Sequence, residues 1–240
     1  MEKIKTLQKY IDESNSVVFF GGAGVSTESG IPDFRSVDGL YNMRYDYPPE
    51  TILSHSFLYS NPKEFYRFYK DKLIYPDARP NAAHYKLAEL ERAGKLRAVV
   101  TQNIDGLHQA AGSKTVFELH GTLEKNYCVG CYKRYSQSEL PLYEEYPRCT
   151  CGKMIRPDVV MYGEALDDDV VDGAINAIAG ADLLIIAGTS MSVYPAAGLV
   201  QYFRGKHMVI VNRSKTAADE MCDLVICGSV GEVLGAIEVN

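Results

Sequence analysis

Ser16-Val17-Val18-Phe19-Phe20 is a short apolar run of β-branched and aromatic residues that feeds directly into Gly21-Gly22-Ala23-Gly24-Val25-Ser26. A strand delivered into a glycine turn constrains this chain more than any other stretch, because glycines lack the Cβ that holds a ligand away from the backbone. Amides in such a turn are unpaired donors that an anion such as phosphate can satisfy. Gly22 and Gly24 match the first two positions of the dinucleotide fingerprint GxGxxG, and Thr27 stands in the third place. A glycine turn by itself can also do no more than reverse the chain. The next stretch, Gly30-Ile31-Pro32-Asp33-Phe34-Arg35-Ser36, sets an acid, an aromatic face and a guanidinium side by side in a segment too broken for a helix. Functional side chains dense in a loop point to a site.

The remainder of the chain repeats this strand-to-loop theme. Helical spacing predicts helices over 3–14, 62–74 and 81–93, the last ended by Gly94, and later over 168–179 and 195–203 with a further helix at the end. Apolar runs predict strands at 96–101, 116–119, 183–187, 208–211 and 224–226, which with 16–20 makes six. Runs this continuously apolar suit a parallel sheet covered on both faces, so the expected fold is α/β, doubly wound and Rossmann-like. Polar residues recur where these strands end: Gln102, Asn103 and Asp105, then His120, then Gly188-Thr189-Ser190, then Asn212-Arg213-Ser214. Ligands bind outside the carboxyl ends of open parallel sheets, which makes these residues site candidates. The aromatic stripe Phe65, Tyr66, Phe68 and Tyr69 reads as core or as a pocket wall.

Between 124 and 156 the strand and helix alternation stops. This segment carries Cys128-x2-Cys131, seventeen intervening residues, and Cys149-x-Cys151. Two close cysteine pairs at this separation predict a zinc ribbon, in which four thiolates around Zn2+ replace the core that ~30 residues cannot build. Four thiolates leave no open position for water, so the metal is structural. The expected organisation is one discontinuous domain, 1–123 with 157–240, and a ribbon at 124–156 inserted in it. Lys125, Lys133, Arg134, Lys153 and Arg156 read as the ribbon's solvated face, and Cys222 and Cys227 as ordinary buried thiols.

Composition narrows the partners. A formal net charge of −6 over 240 residues argues against gripping nucleic acid or an anionic membrane. The start of the chain has no apolar core of the signal-peptide kind, and no run approaches the ~20 apolar residues of a membrane span. Clustered cysteines without a secretion signal fit metal better than disulfides, and the protein is expected in the cytoplasm.

Taken in order, GAGVS, GIPDFRS, TQNIDGLH, Leu119-His120-Gly121, the cysteine quartet, Tyr162-Gly163-Glu164 and GTS give a chain that resembles the sirtuins, NAD-dependent protein deacylases, over nearly its whole length. The resemblance implies that Ala23, Thr27, Phe34 and Arg35 line the dinucleotide site, with Gln102, Asn103, Ile104 and Asp105 around the nicotinamide and its ribose. It implies that Thr189, Ser190, Asn212, Arg213, Ser229 and Val230 hold the adenosine half. It makes His120 the general base, beside the cofactor, with Asn103 and Asp105 as its catalytic companions. Val160, Met161, Tyr162 and Gly163, with the Met191-Ser192-Val193-Tyr194 segment, are implied to clasp an extended acetyl-lysine peptide by strand addition.

The implied reaction consumes NAD. The acyl oxygen of the modified lysine attacks the anomeric carbon as nicotinamide leaves, and imidazole suits the later removal of a ribose hydroxyl proton because its pKa lies near neutral. Products are free lysine, nicotinamide and O-acetyl-ADP-ribose, and the enzyme is expected to act as a monomer. Sirtuins that prefer acidic acyl groups carry a Tyr-x-x-Arg pair where this chain reads Tyr66-x-x-Tyr69, so an uncharged acyl pocket and chiefly deacetylation are implied. Tyr41-x-x-Arg44 matches the letters but lies earlier in the chain. Protein ADP-ribosyltransfer, which breaks the same bond toward another acceptor, and a non-catalytic NAD-sensing module are the competing readings. A dehydrogenase is disfavoured by the incomplete fingerprint and by Gln102-Asn103 at the end of the second strand, where an acid belongs.

Overall fold

A computed structural model describes residues 2–34, 39 and 46–239. The opening helix, α1, spans Glu2–Glu13 and turns Leu7 and Ile11 inward. Strand β1, Val17–Gly21, is buried at every position. Three helices follow the glycine loop: α2 at Pro49–Ile52, α3 at His55–Ser60 and α4 at Pro62–Lys72. Next come α5 at Ala82–Arg92, β2 at Leu96–Thr101, α6 at Leu107–Ala111 and β3 at Val116–Glu118. Antiparallel strands β4, Gly121–Cys128, β5, Arg134–Ser136, and β6, Ile155–Val159, interrupt the series. It resumes with α7 at Asp168–Ala179, β7 at Leu183–Ala187, β8 at His207–Asn212, β9 at Leu224–Cys227 and α8 at Val230–Gly235.

The six expected strands form one sheet in the order β3-β2-β1-β7-β8-β9, and every pairing is parallel. Alternate residues of each strand face opposite sides. Val17, Phe19, Val99, Ile185 and Val209 therefore meet α1, α5 and α8 on one face. Val18, Phe20, Val100, Ile186 and Ile210 meet α7 and the 195–203 region on the other. The chain builds outward from β1 through β2 to β3, then from β7 through β8 to β9, so the reversal of direction falls between β1 and β7. That crevice is where a doubly wound sheet binds its ligand.

Two expectations need correction. The helix over 195–203 is a 3-10 helix at Ala196–Tyr202, with i to i+3 bonds such as Gly198 N–H to the Pro195 carbonyl at 2.9 Å. Gly198 weakens the α-helical preference in the middle of the segment. Arg156, expected on a solvated face, is 4% exposed and sits within β6.

A third core cluster lies outside the parallel sheet. Ile52, Phe57 and Leu58 join Phe65, Tyr66, Phe68 and Tyr69 of α4, and all pack against Leu123, Cys128, Cys149 and Ile155. The aromatic stripe is thus core, and the helices at 49–72 share their interior with the cysteine-bearing strands. Tyr66 donates its hydroxyl to the Ile155 carbonyl at 2.6 Å across that interior. Among the described residues no helix is long and apolar enough to cross a membrane.

Candidate active site

The loops that leave β1 and β7 touch backbone to backbone. Gly24 N–H donates to the Gly188 carbonyl at 2.8 Å, and a Cβ on Gly24 would stand 2.8 Å from Gly188 Cα. The glycine is therefore required by its neighbouring loop as well as by any ligand. Gln102, at the end of β2, donates through Nε2 to Thr189 Oγ1 at 3.0 Å. Asn212, at the end of β8, receives the Thr189 N–H at 3.1 Å and returns a bond to the Thr189 carbonyl at 2.9 Å. Three strand ends far apart in sequence are thereby tied into one rim.

Asn103 and Asp105 are linked through a residue the sequence reading passed over. Asn103 Nδ2 donates to Ser26 Oγ at 3.0 Å, and Ser26 Oγ donates to Asp105 Oδ2 at 2.7 Å. The other carboxylate oxygen accepts the Leu107 N–H at 2.9 Å, so Asp105 is held at both oxygens. Ser26 stands in the GAGVS stretch, and a serine at the mouth of a glycine turn was the available signal. Glu28 was also missed: it accepts from Ser229 Oγ at 3.2 Å and from Gly231 N–H at 2.7 Å. The Ser229 hydroxyl is thus engaged within the protein, and the Val230 side chain is buried in the first core cluster.

Thr27 turns its hydroxyl back to the Gly24 carbonyl at 3.1 Å, and Ala23 begins the short 3-10 turn that contains Gly24. Ile104 and Phe34 pack against the third cluster. Ser190 and Arg213 are exposed on the rim, with Ser190 Oγ 2.7 Å from Ser192 Oγ. Arg35 and the Tyr41-x-x-Arg44 pair lie outside the described residues. A cavity of about 450 Å3 reaches Asp105 from its outer side, walled by Ile31, Ile74, Leu107, Leu123 and Glu124 among others.

His120 sits where the chain leaves the parallel sheet. Its Nδ1 lies 2.9 Å from the Gln102 carbonyl, which can only accept, so Nδ1 carries the proton and neutral imidazole keeps Nε2 as its acceptor. Burial pulls its pKa down and the bond to Gln102 pulls it up, with burial prevailing. Gly121 follows at φ 72°, and a Cβ there would stand 2.1 Å from the Asp158 carbonyl oxygen. No other residue lets β4 start so close behind the histidine.

The segment expected to clasp a peptide is itself tied down. Val160 N–H goes to the His120 carbonyl at 2.9 Å, Met161 N–H to Glu164 Oε2 at 2.8 Å and Tyr162 N–H to the Leu53 carbonyl at 3.0 Å. His55 N–H returns a bond to the Tyr162 carbonyl at 3.0 Å, which completes a parallel bridge between Ser54 and Tyr162. Strand addition through those three amides is closed in this conformation. Val193, in the second segment expected to clasp the peptide, accepts through its carbonyl from Ala197 N–H at 2.9 Å. Tyr66 and Tyr69 are wholly buried in the third core cluster, so the Tyr-x-x-Tyr pair stands in the core and not on an exposed pocket wall.

The cysteine quartet converges. All four Sγ atoms lie within 4.8 Å of one another, with Cys128 to Cys151 at 3.4 Å and Cys131 to Cys149 at 3.5 Å. The shorter Cys149-x-Cys151 spacing is absorbed by a tight turn, Gly152 N–H to the Cys149 carbonyl at 2.8 Å. Four thiolate donors gathered from two hairpins fit a closed tetrahedral Zn2+ site, one that holds structure. Cys222 is half-buried and Cys227 exposed, so the latter is not the buried thiol expected of it.

Comparison with known proteins agrees with this arrangement. The profile of the Sir2 family matches residues 22–195. A Clostridium perfringens protein described as an NAD-dependent protein deacetylase is 58% identical over 98% of both chains. One of the same description from Clostridium acetobutylicum is 52% identical over 99% of this chain and 98% of its own. Among solved structures, Sir2 bound to acetylated peptide superposes with a TM-score of 0.85 at 41% identity, and the Sir2-p53 peptide-NAD+ complex does the same; each covers 96% of this chain and 95% of the other.

Proposed function

We infer the chemistry of this cleft from one premise: the chain belongs to the Sir2 family. It is an NAD-dependent protein deacetylase that releases nicotinamide and forms O-acetyl-ADP-ribose. NAD is its co-substrate, and the four-cysteine cluster suits structural zinc. The observation that carries the assignment of roles is the geometry of His120, a neutral imidazole whose Nδ1 is fixed by Gln102 and whose Nε2 is left to take a proton.

NAD, when bound, supplies an electrophilic anomeric carbon and a good leaving group. Ala23, Thr27, Phe34 and Arg35 would line the dinucleotide site, Gln102 and Ile104 would border the nicotinamide and its ribose, and Thr189, Ser190, Asn212, Arg213, Ser229 and Val230 would hold the adenosine half. Asn103 and Asp105, locked together through Ser26, present amide and carboxylate without rotamer freedom to lose, which suits a reaction in which two substrates must be oriented together. His120 Nε2 accepts a ribose hydroxyl proton, and burial keeps the imidazole unprotonated for that task at neutral pH.

The acetyl-lysine peptide lies between the 160–163 and 191–194 segments. Because the amides of Val160, Met161 and Tyr162 are committed internally, Gly163 and Val193 are its backbone partners in this arrangement. The ribbon at 124–156 is an insertion in the domain formed by 1–123 and 157–240, with its strands extended by Gly121 to Leu123 and by Pro157 to Val159. The protein acts in the cytoplasm, a reading supported by four thiols that must stay reduced to bind metal. It acts as a monomer: the exposed large hydrophobic side chains among the described residues are eight tyrosines and Met221, and tyrosine tips suit water.

Incubation with an acetyl-lysine peptide, with and without NAD, tests the assignment by peptide mass and nicotinamide release. Loss of acetyl only with NAD, one nicotinamide per peptide, is expected. Added ADP-ribose mass on the product would instead identify transfer to protein. His120→Ala is expected to lower turnover by ~10²–10⁴-fold while peptide and NAD still bind. Retained turnover in that variant would remove His120 as the base.

A further inference from the structure

Arg156 and Glu164 form an ion pair that neither the cysteine site nor the NAD rim requires. The Arg156 side chain is 5% exposed and that of Glu164 19%. The contact is two-pronged, Nη1 to Oε1 at 2.5 Å and Nη2 to Oε2 at 2.9 Å, a geometry that fixes both planes. Arg156 places two further donors, Nη2 on the Val159 carbonyl at 2.8 Å and Nε on the Pro157 carbonyl at 3.2 Å. Its guanidinium also lies 5.7 Å from the Tyr127 ring centroid, directly across the β4–β6 ladder.

Glu164 takes three further bonds, and each ends on the segment proposed to face the peptide or on its support. Oε2 accepts the Met161 N–H at 2.8 Å, and the Glu164 N–H returns to the Met161 carbonyl at 2.9 Å, closing a turn over 161–164. Oε1 lies 2.7 Å from His55 Nδ1, at the start of α3, whose chain pairs with Tyr162. The carboxylate therefore joins three pieces: the cysteine-bearing sheet through Arg156, helix α3 through His55, and the 160–163 segment through Met161.

A bare surface ion pair is worth little, and a buried one is no stronger than well-packed apolar residues. What such a pair supplies is definition of geometry. Without the carboxylate, Met161 N–H loses its acceptor, and the turn that presents Gly163 keeps its backbone bond but loses its ties to Arg156 and His55.

We propose that Arg156 and Glu164 are positioning residues for the peptide substrate: they hold the 160–164 turn in the conformation that offers Gly163 to the acetyl-lysine chain. This rests on the deacetylase assignment above. The rim proposed for NAD, tied together by Gln102, Thr189 and Asn212, includes none of residues 160–164. Disturbing the pair therefore moves the peptide requirement and spares the cofactor requirement, a split that mere loss of folded protein cannot produce.

The test is steady-state deacetylation by the full chain with an acetyl-lysine peptide and NAD each varied in turn. Wild-type turnover must be seen first; if it is absent, the deacetylase assignment fails and the variants say nothing against it. Glu164→Gln keeps the shape but loses the charge, and is expected to raise peptide KM about tenfold while NAD KM changes less than about twofold. Arg156→Lys keeps charge without the fork and is expected to give a similar but smaller rise. Should both variants unfold, His55→Phe, at a half-exposed position, is expected to raise peptide KM about threefold with NAD KM unchanged. Unchanged peptide KM, or equal rises in both constants, would overturn the proposal.

Discussion

The parallel-sheet body and the cysteine-bearing lobe reach order by different means. In the former, β1 is buried at all five positions and helices cover both faces, so backbone ladders and apolar side chains from one chain suffice. In the latter, three antiparallel strands share a small aromatic core with α2 to α4, and four thiols gather on one point. The first body is self-supporting, and the second leans on a metal and on a seam of a few polar contacts. Position follows from the difference: the rim that would hold NAD belongs to the stiff body, and the segment that would hold peptide hangs between the two.

Stripping the metal breaks the comparison most severely. Structural zinc supplies ~10–16 kcal/mol in small zinc modules, so a strong chelator, or Cys131→Ser, is expected to unfold the lobe and abolish peptide binding. NAD binding should survive, since its rim is built from the parallel sheet. Calorimetric titration of NAD and of peptide on the same stripped sample checks this, and loss of both ligands together would show that the two regions fold as one.

A smaller effect probes the stiff body. Gly24→Ala places a methyl 2.8 Å from Gly188 Cα, where backbone must move. The expected result is ~1–3 kcal/mol lost in urea unfolding and a rise in NAD KM, with peptide KM little changed. An unchanged NAD KM would mean that the contact between the loops does not shape the rim.

A further effect is read in acid, where the two regions should separate by pH. His84 and His108 are buried together in the sheet body with ring centroids 4.7 Å apart, and among the described residues His84 Nε2 and both His108 ring nitrogens have no hydrogen-bond partner. Burial pushes His84 down to about 4 and His108 to about 3. The unfolded chain therefore binds more protons below about 6.5, and stability is expected to fall as pH drops from there toward those values. The opposite case is Glu164, which burial pushes up and Arg156, His55 and the Met161 amide pull down further, to about 2. Its contribution is full above about 4.5 and lost only as pH falls through about 2. Unfolding titrations of His108→Phe should show a flatter decline between pH 6.5 and 4 than the parent; an equal slope would remove the histidine pair from the account.

Much of the sheet was legible because burial on both faces writes itself as unbroken apolar runs, and Val17-Val18-Phe19-Phe20 or Leu183-Leu184-Ile185-Ile186 leave little else to read. The cysteine quartet was legible through spacing. Contacts between distant loops were not: Ser26 with Asn103, Glu28 with Gly231 and Arg156 with Glu164 join residues whose identity alone says only that they are polar. Arg156 misled most, since an arginine among lysines suggests a wet surface until its partner is known. The shared interior of α4 and the ribbon was hidden for the same reason, because an aromatic stripe does not say which element it will face.

Gly24 and Gly188 meet with no side chain between them. Elsewhere in a protein, spacing between two loops can be adjusted by lengthening or trimming a residue, and natural variation or an engineer can exploit that freedom. Here there is nothing to trim and no room to lengthen. On the site proposed above, retuning this enzyme toward an altered nucleotide would fall to exposed rim positions such as Ser190 or Arg213, while the joint stays fixed. The most conspicuous stretch of the sequence is thus the least adjustable part of the catalyst.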